Sequence, residues 1–182
     1  VGLYQLDLLN VCITLLTLPF FLAIGLAHRE GRPAFALFAI SIAAIGTAVF
    51  VAGNAALPML DLSAKYYAAT DESRRQMLAA AGEALLAKGV HGGPGVFPGF
   101  ILSALTSLLF SLLMLGGKVF SKPIAILGLV GNAIMLLYLV MVTFVPGGER
   151  TAMFIVMFGG LATIAWMLSA SVRLIGLWRS HA

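Results

Sequence analysis

The chain has 182 residues, 61% of them hydrophobic and 10% charged, with a formal net charge of +4 and a mean hydropathy of +1.05. Soluble domains carry about 25% charged residues, so this surface is too poor in charge to stay wet and most of it must meet lipid. The basic excess does not point to nucleic acid, because most Lys and Arg lie in the connections between apolar blocks and form no patch.

Five apolar blocks are long enough to span, at about 20 residues each. The first is near residues 6–27, with Asp7 and Asn10 at its start and Pro19 as a kink site. Its single cysteine, Cys12, has no partner for a disulfide or a metal and reads as a small buried hydrophobe. The charged turn His28-Arg29-Glu30-Gly31-Arg32-Pro33 closes this block. The second span is near 34–60, with Pro58 in its last turn, and the third is near 96–116, closed by Lys118, Lys122 and Pro123. The fourth is near 124–145, ending at Pro146-Gly147-Gly148, and the fifth is near 151–172, followed by Arg173 and Arg179. Lipid requires every backbone polar group to be satisfied within the segment, which helices do. The alternating polarity of barrel strands is absent. The expected fold is one all-α membrane domain over 1–182, a polytopic transmembrane helical bundle.

Between spans two and three lies the one long polar passage, and 61–95 reads as a short helical cap outside the membrane. Asp61 is expected to N-cap its first helix, with Leu62, Tyr66 and Ala69 on one face. Thr70-Asp71-Glu72-Ser73 reads as the start of a second helix, with Asp71 and Arg75 spaced to pair and Leu78, Ala81 and Leu85 on its apolar face. Gly89 reads as its C-cap.

The basic turns at 28–33 and 116–123 and the tail with Arg173 and Arg179 fall on one side of the membrane. The positive-inside rule makes that side cytoplasmic, with the C-terminus inside and 61–95 outside. An N-terminus outside without a signal peptide predicts an upstream segment, most simply a sixth span.

Small residues recur at helical spacing. Ser103, Ser107 and Ser111 are four apart on span three, and they serve either close helix packing or a polar lining to a pathway, with packing the expectation. Ala44, Ala48, Ala52 and Ala56 form a matching row on span two. Gly128 with Asn132 on span four, and Gly159 with Thr163 on span five, complete a compact bundle rather than a pore. Asn54 and Asn132 are amides within the spans and must face protein, as interhelical hydrogen bonds or as ligand contacts. Spans two to five contain no Asp, Glu, Lys, Arg or His, which argues against proton relays, ion pathways and haem ligation. Only the cap offers groups for chemistry: Asp61, Ser63, Tyr66, Tyr67, Glu83 and His91. Tyr66 and Tyr67 read first as membrane-edge anchors, and His91, in a Gly-rich loop with no GK[ST] after it, reads first as solvated. No metal site and no cofactor is expected.

Two stretches, NAALPMLDLSAKYYAATDESRRQMLAAAGEALLA (54–87) and SLLMLGGKVFSKPIAILGLVGNAIMLLY (111–138), resemble bacterial multi-pass membrane proteins of the domain-of-unknown-function family four-three-eight-six. The resemblance implies a bacterial inner-membrane location, more than five spans and a basic residue in the inner turn where this chain has Gly116-Gly117. It implies no activity. The first functional expectation is a non-catalytic accessory or structural subunit, associating laterally with other membrane subunits or with copies of itself. The alternative is a binder or carrier of a lipid-like molecule held under the cap by Asn54, Tyr66 and Asn132. An outer-face enzyme is the third reading.

Overall fold

The computed structural model describes residues 8–90 and 92–181. Among the described residues there are seven helices and no strand. They are α1 (Leu8–Ala27), α2 (Pro33–Gly53), α3 (Ala56–Ala68), α4 (Glu72–Gly89), α5 (Phe97–Gly116), α6 (Lys122–Phe144) and α7 (Glu149–His181). Five helical stretches are long and apolar enough to cross a membrane: α1, α2 with its continuation in α3, α5, α6 and α7. The chain is therefore an all-α bundle of membrane type.

Local chemistry explains the boundaries. Pro33 opens α2 and Pro123 stands in the first turn of α6, positions where a missing N–H costs nothing. The second span is not the continuous 34–60 segment expected. It ends at Gly53, and Asn54 turns the chain with φ −70° and ψ 130°. The Ala56 N–H donates to Asn54 Oδ1 at 3.0 Å, satisfying a first-turn donor of α3. Pro58 then falls in the first turn of α3 and not in the last turn of α2. Asp61 is consequently inside α3 and caps nothing. Lys65 Nζ donates to its carboxylate at 2.6 Å, and both side chains are more than half exposed, so the pair adds little stability. Asp71 does cap α4, accepting from the Arg74 N–H at 3.0 Å. Arg75 turns away from Asp71, and its Nε donates to the Ala69 carbonyl at 2.9 Å. Gly89 is the last residue of α4, with Val90 as its C-cap.

The membrane helices form a ring. α1 packs on α2, α2 on α5, α5 on α6 and α6 on α7, while α1 closes the circuit through slight contacts with α5 and α7. α3 and α4 pack on each other as a hairpin, joined to the bundle where Ala55 and Ala56 meet Leu8. On α4 the inward residues are Leu78, Gly82, Leu85 and Leu86, whereas Ala81 is exposed. Helix α7 runs nine residues past the expected end at 172, to His181. At 33 residues it is about 50 Å long, more than a hydrocarbon core of about 30 Å, and Arg173 on it donates from Nε to the Val119 carbonyl at 3.1 Å.

The packing row of α2 also differs from expectation. Ala44, Ala48 and Ala52 are exposed, and the buried row is Ala36, Ala39, Ala43, Gly46 and Phe50. That row steps by three and four, the spacing of a left-handed helix crossing. A Cβ on Gly46 would lie 3.1 Å from Leu102 Cβ, and one on Gly99 would lie 3.0 Å from Phe50 Cα. Backbone-to-backbone approach of this kind holds α2 to α5 where burial from lipid gives no gain. Cys12 is exposed on α1 and not buried.

The core sits at the end of the bundle that carries the basic turns. Phe21 and Phe110 stack with centroids 4.8 Å apart and planes inclined by 16°. Phe20 meets Trp166 edge-on at 5.6 Å. Ile24, Leu113 and Met114 are fully buried beside them. His28, a turn residue by sequence, is buried here at 4% exposure. Its Nδ1 donates to the Ile24 carbonyl at 2.8 Å, capping the end of α1, so Nδ1 carries the hydrogen. Its ring stacks on Phe120 at 5.6 Å.

Gly131 and Gly160 separate packing from mere helicity. A Cβ on Gly131 would meet Ala162 Cβ at 2.9 Å and the Thr163 backbone N at 3.0 Å, whereas Gly160 has nothing within 4 Å. Gly131→Val is expected to lower the stability of the detergent-solubilised protein by about 1–3 kcal/mol, and Gly160→Val to leave it nearly unchanged. Thermal unfolding of the two variants beside the parent chain measures the difference.

Candidate functional site

The half of the bundle next to the cap is hollow. A cavity of about 360 Å³ lies inside the helix ring. α1 contributes Asn10, Ile13, Thr14 and Thr17, and α2 contributes Ala43 and Thr47. α5 contributes Phe100, Ser103, Ala104, Thr106 and Ser107, α6 contributes Asn132, Met135, Tyr138, Leu139 and Val142, and α7 contributes Val156, Thr163 and Met167. Gly92 reaches the mouth from the loop after α4. It holds φ +78°, which a side chain would resist, and a Cβ there would stand 3.1 Å from Val142.

Among the described residues, no charged side chain lines this cavity. Its polar groups are hydroxyls and carboxamides, set in a wall of aliphatic and aromatic carbon. Phe21 lies at the floor, and below it the stack with Phe110 closes the bundle. The cavity is thus a cup closed off at the end of the bundle that carries the basic turns.

The three serines of α5 divide by depth. Ser103 and Ser107 are half-buried and face the cavity. Ser111 is fully buried below it, beside Gly128, where a Cβ would lie 2.5 Å from both Ser111 Oγ and Trp166 Nε1. Each serine hydroxyl donates to the carbonyl four residues earlier: Ser103 to Gly99 at 3.0 Å, Ser107 to Ser103 at 3.1 Å and Ser111 to Ser107 at 2.8 Å. Gly159 is buried against α6, where a Cβ would lie 2.9 Å from Ile134 Cγ2.

Asn132 stands at the bottom of the cup, 3% exposed. Its Nδ2 donates to the Gly128 carbonyl at 2.8 Å, a bond within its own helix and not the interhelical bond expected. Thr163, also on the wall, has a buried hydroxyl oxygen with no hydrogen-bond partner.

The expected trio of Asn54, Tyr66 and Asn132 does not converge. Asn54 makes the α2–α3 turn. Tyr66 lines a separate groove of about 390 Å³ between α3 and α4, together with Ser63, Tyr67, Glu83 and the apolar residues Met59 and Leu86. The Tyr66 and Tyr67 rings meet edge-on at 5.8 Å, and Tyr67 is 80% exposed. Asp61 is outside that groove, on Lys65. Asp7 and His91 lie outside the described residues. Among the described residues, no three His, Cys, Asp or Glu side chains gather as a metal site.

Of this lining the sequence offers Asn132 as a ligand contact and Ser103 and Ser107 as a polar face, while the contribution of Thr14, Thr17 and Thr47 went unread. They put hydroxyls on α1 and α2 at the depth of Ser103 and Ser107. Five helices that each place small polar residues at one depth enclose a polar space there.

The intrahelical bond of Asn132 has a consequence for stability. Gly128 O keeps its main-chain partner when the side chain changes, so Asn132→Leu leaves no orphaned group on a neighbouring helix. Its stability is expected within about 1 kcal/mol of the parent, while uptake of xenon under pressure falls because Leu fills the cup. Unfolding curves and xenon-dependent NMR shifts read the two effects separately. No family model, curated protein or solved structure matches the chain, and the geometry of the cup is what bears on function.

Proposed function

We propose that the chain is a non-enzymatic membrane protein that binds a small, uncharged, largely apolar molecule in the cup between its helices. The observation that carries this reading is a 360 Å³ cavity walled by carbon, hydroxyl and carboxamide with no charged side chain on its lining. Pockets of this size suit small ligands, and a few convergent polar groups in an apolar wall orient them. An ion would find no counter-charge there. The ligand site is the helix ring and not the cap groove, with Asn132, Ser103, Ser107 and Thr163 as contacts. In this reading the basic turns face a bacterial cytoplasm and the cup opens to the outer side. The kinship of residues 54–87 and 111–138 with family four-three-eight-six is part of the same proposal.

A mild-detergent extract of the native protein is expected to carry a neutral lipid or lipid-like species at near-stoichiometric level by mass spectrometry. Ser107→Leu, which fills the cup from α5, is expected to lower that occupancy at least fivefold. Equal occupancy in the filled variant removes the cup as the site.

A second reading, lateral association, is favoured by one observation. The row Ala44, Ala48 and Ala52 lies outside the bundle, exposed on α2, and outward small residues let a second helix approach closely. In a Cys12→Ser background, Ala48→Cys is expected to cross-link into dimers in native membranes if copies meet along this face. Cross-linking no greater than from Ala34→Cys, away from the row, removes the reading.

A further inference from the structure

We infer that the molecule held in the cup presents a hydroxyl group to α5, so that the site selects neutral alcohols over ketones, ethers and esters of the same size. This rests on the cup being the ligand site.

A serine or threonine hydroxyl has one hydrogen to give and two lone pairs to receive. On the cavity face of α5 that hydrogen is already committed. Ser103, Thr106 and Ser107 donate to the carbonyls of Gly99, Leu102 and Ser103 at 3.0, 2.8 and 3.1 Å. Across the cup, Thr17 donates to the Thr14 carbonyl at 2.9 Å. These hydroxyls therefore offer the cavity lone pairs. A ketone, ether or ester brings lone pairs of its own, and lone pair against lone pair makes no bond. Rotating a serine to serve such a ligand breaks one hydrogen bond to form another and gains nothing. A hydroxyl on the ligand supplies the hydrogen that this wall lacks and leaves the helix bonds in place.

An alcohol also has lone pairs to satisfy. Asn132 gives one amide hydrogen to Gly128 O, and its carboxamide carries a second. Acceptors on α5 and a donor on α6 thus line the same cup, and an O–H group that reaches both is satisfied on both sides. A bound molecule displaces water from this wall, and a polar group it leaves unpaired costs more than a formed bond gains; sites built to bond a hydroxyl reject analogues lacking it.

The test uses 6-bromo-1-hexanol and 1-bromo-6-methoxyhexane, matched probes whose bromine quenches tryptophan at short range without needing direct contact. Trp178→Phe leaves Trp166 as the sole tryptophan, buried behind the cup wall beside Gly128 and next along α7 to the lining residue Met167. In phosphatidylcholine nanodiscs, with partitioning measured on protein-free discs, the alcohol is expected to quench Trp166 at about tenfold lower membrane concentration than the ether. Adding Ser103→Ala and Ser107→Ala is expected to abolish the difference, while the Trp166 emission maximum without probe stays unchanged and shows that the fold persists. Saturable quenching by both probes at the same concentration overturns the hydroxyl preference and leaves the cup as a binding site. A preference that survives both alanines overturns the role of α5. Absence of saturable quenching by either probe overturns the binding reading itself.

Discussion

Residue 128 has no side chain, and the centre of the bundle depends on that. Ser111 of α5 and Trp166 of α7 both come within 2.5 Å of where its Cβ would stand. Lipid tails are as apolar as the side chains they would replace, so burying carbon holds these helices together far less than it would in water. Close approach at small residues takes over, through dispersion contacts that reach full strength only when no gap is left. With Trp166 seated against Gly128, its indole meets Phe20, and α1 acquires one of its few anchors on α7. The cost is visible in the same place: Trp166 Nε1 is buried without a hydrogen-bond partner. A group the size of an indole fills the junction well enough for the bundle to tolerate that loss.

The same helix that closes the bundle at one end opens it at the other. Along the inner face of α5, Ser103, Thr106 and Ser107 give way to Phe110, Leu113 and Met114. Small hydroxylated residues leave space near the cap, and large apolar ones fill it near the basic turns. A plug of stacked and edge-on rings therefore sits beneath a polar cup. An aqueous path through the bundle would have to pass the Phe21–Phe110 stack and the fully buried Ile24, Leu113 and Met114. This asymmetry suits holding a molecule from one side and does not suit conducting one across.

Much of the architecture was legible in the sequence because lipid is a demanding solvent. It permits only long apolar helices, and their approximate limits follow from where charge, Pro and Gly resume. The start of α4 at 70–73 was legible too, although the capping role falls to Asp71, expected to pair with Arg75, and not to Asp61. What failed was the choice of faces. Helix α2 carries two rows of small residues, 36–39–43–46 and 44–48–52, and in an apolar helix nothing in the pattern says which meets protein and which meets lipid. The α5 contact decides it, through Gly46 against Leu102 and Phe50 against Gly99. Asn54 and Pro58 were read as one helix end because apolar composition runs straight through them, while the turn depends on one side-chain oxygen meeting the Ala56 N–H. The cup is legible only when five helices are set at their true depths, which no single segment encodes.

His28 and Arg32 show the reverse, a site where residues that look like loop filler are structural. Gly116 and Gly117 end α5. Around them the His28 ring lies where a side chain on Gly117 would go, and the Arg32 guanidinium lies where one on Gly116 would go. The glycines are there because α1 and α2 reach across to occupy their space. The His28 imidazole caps α1 through Nδ1 and packs on Phe120, so its burial is set by the turn it fills. Arg32 thereby adds its charge to that of Lys118 and Lys122 at the α5–α6 connection. Counting charges loop by loop understates such a surface, because the side chain that carries the charge and the backbone it covers belong to different helices.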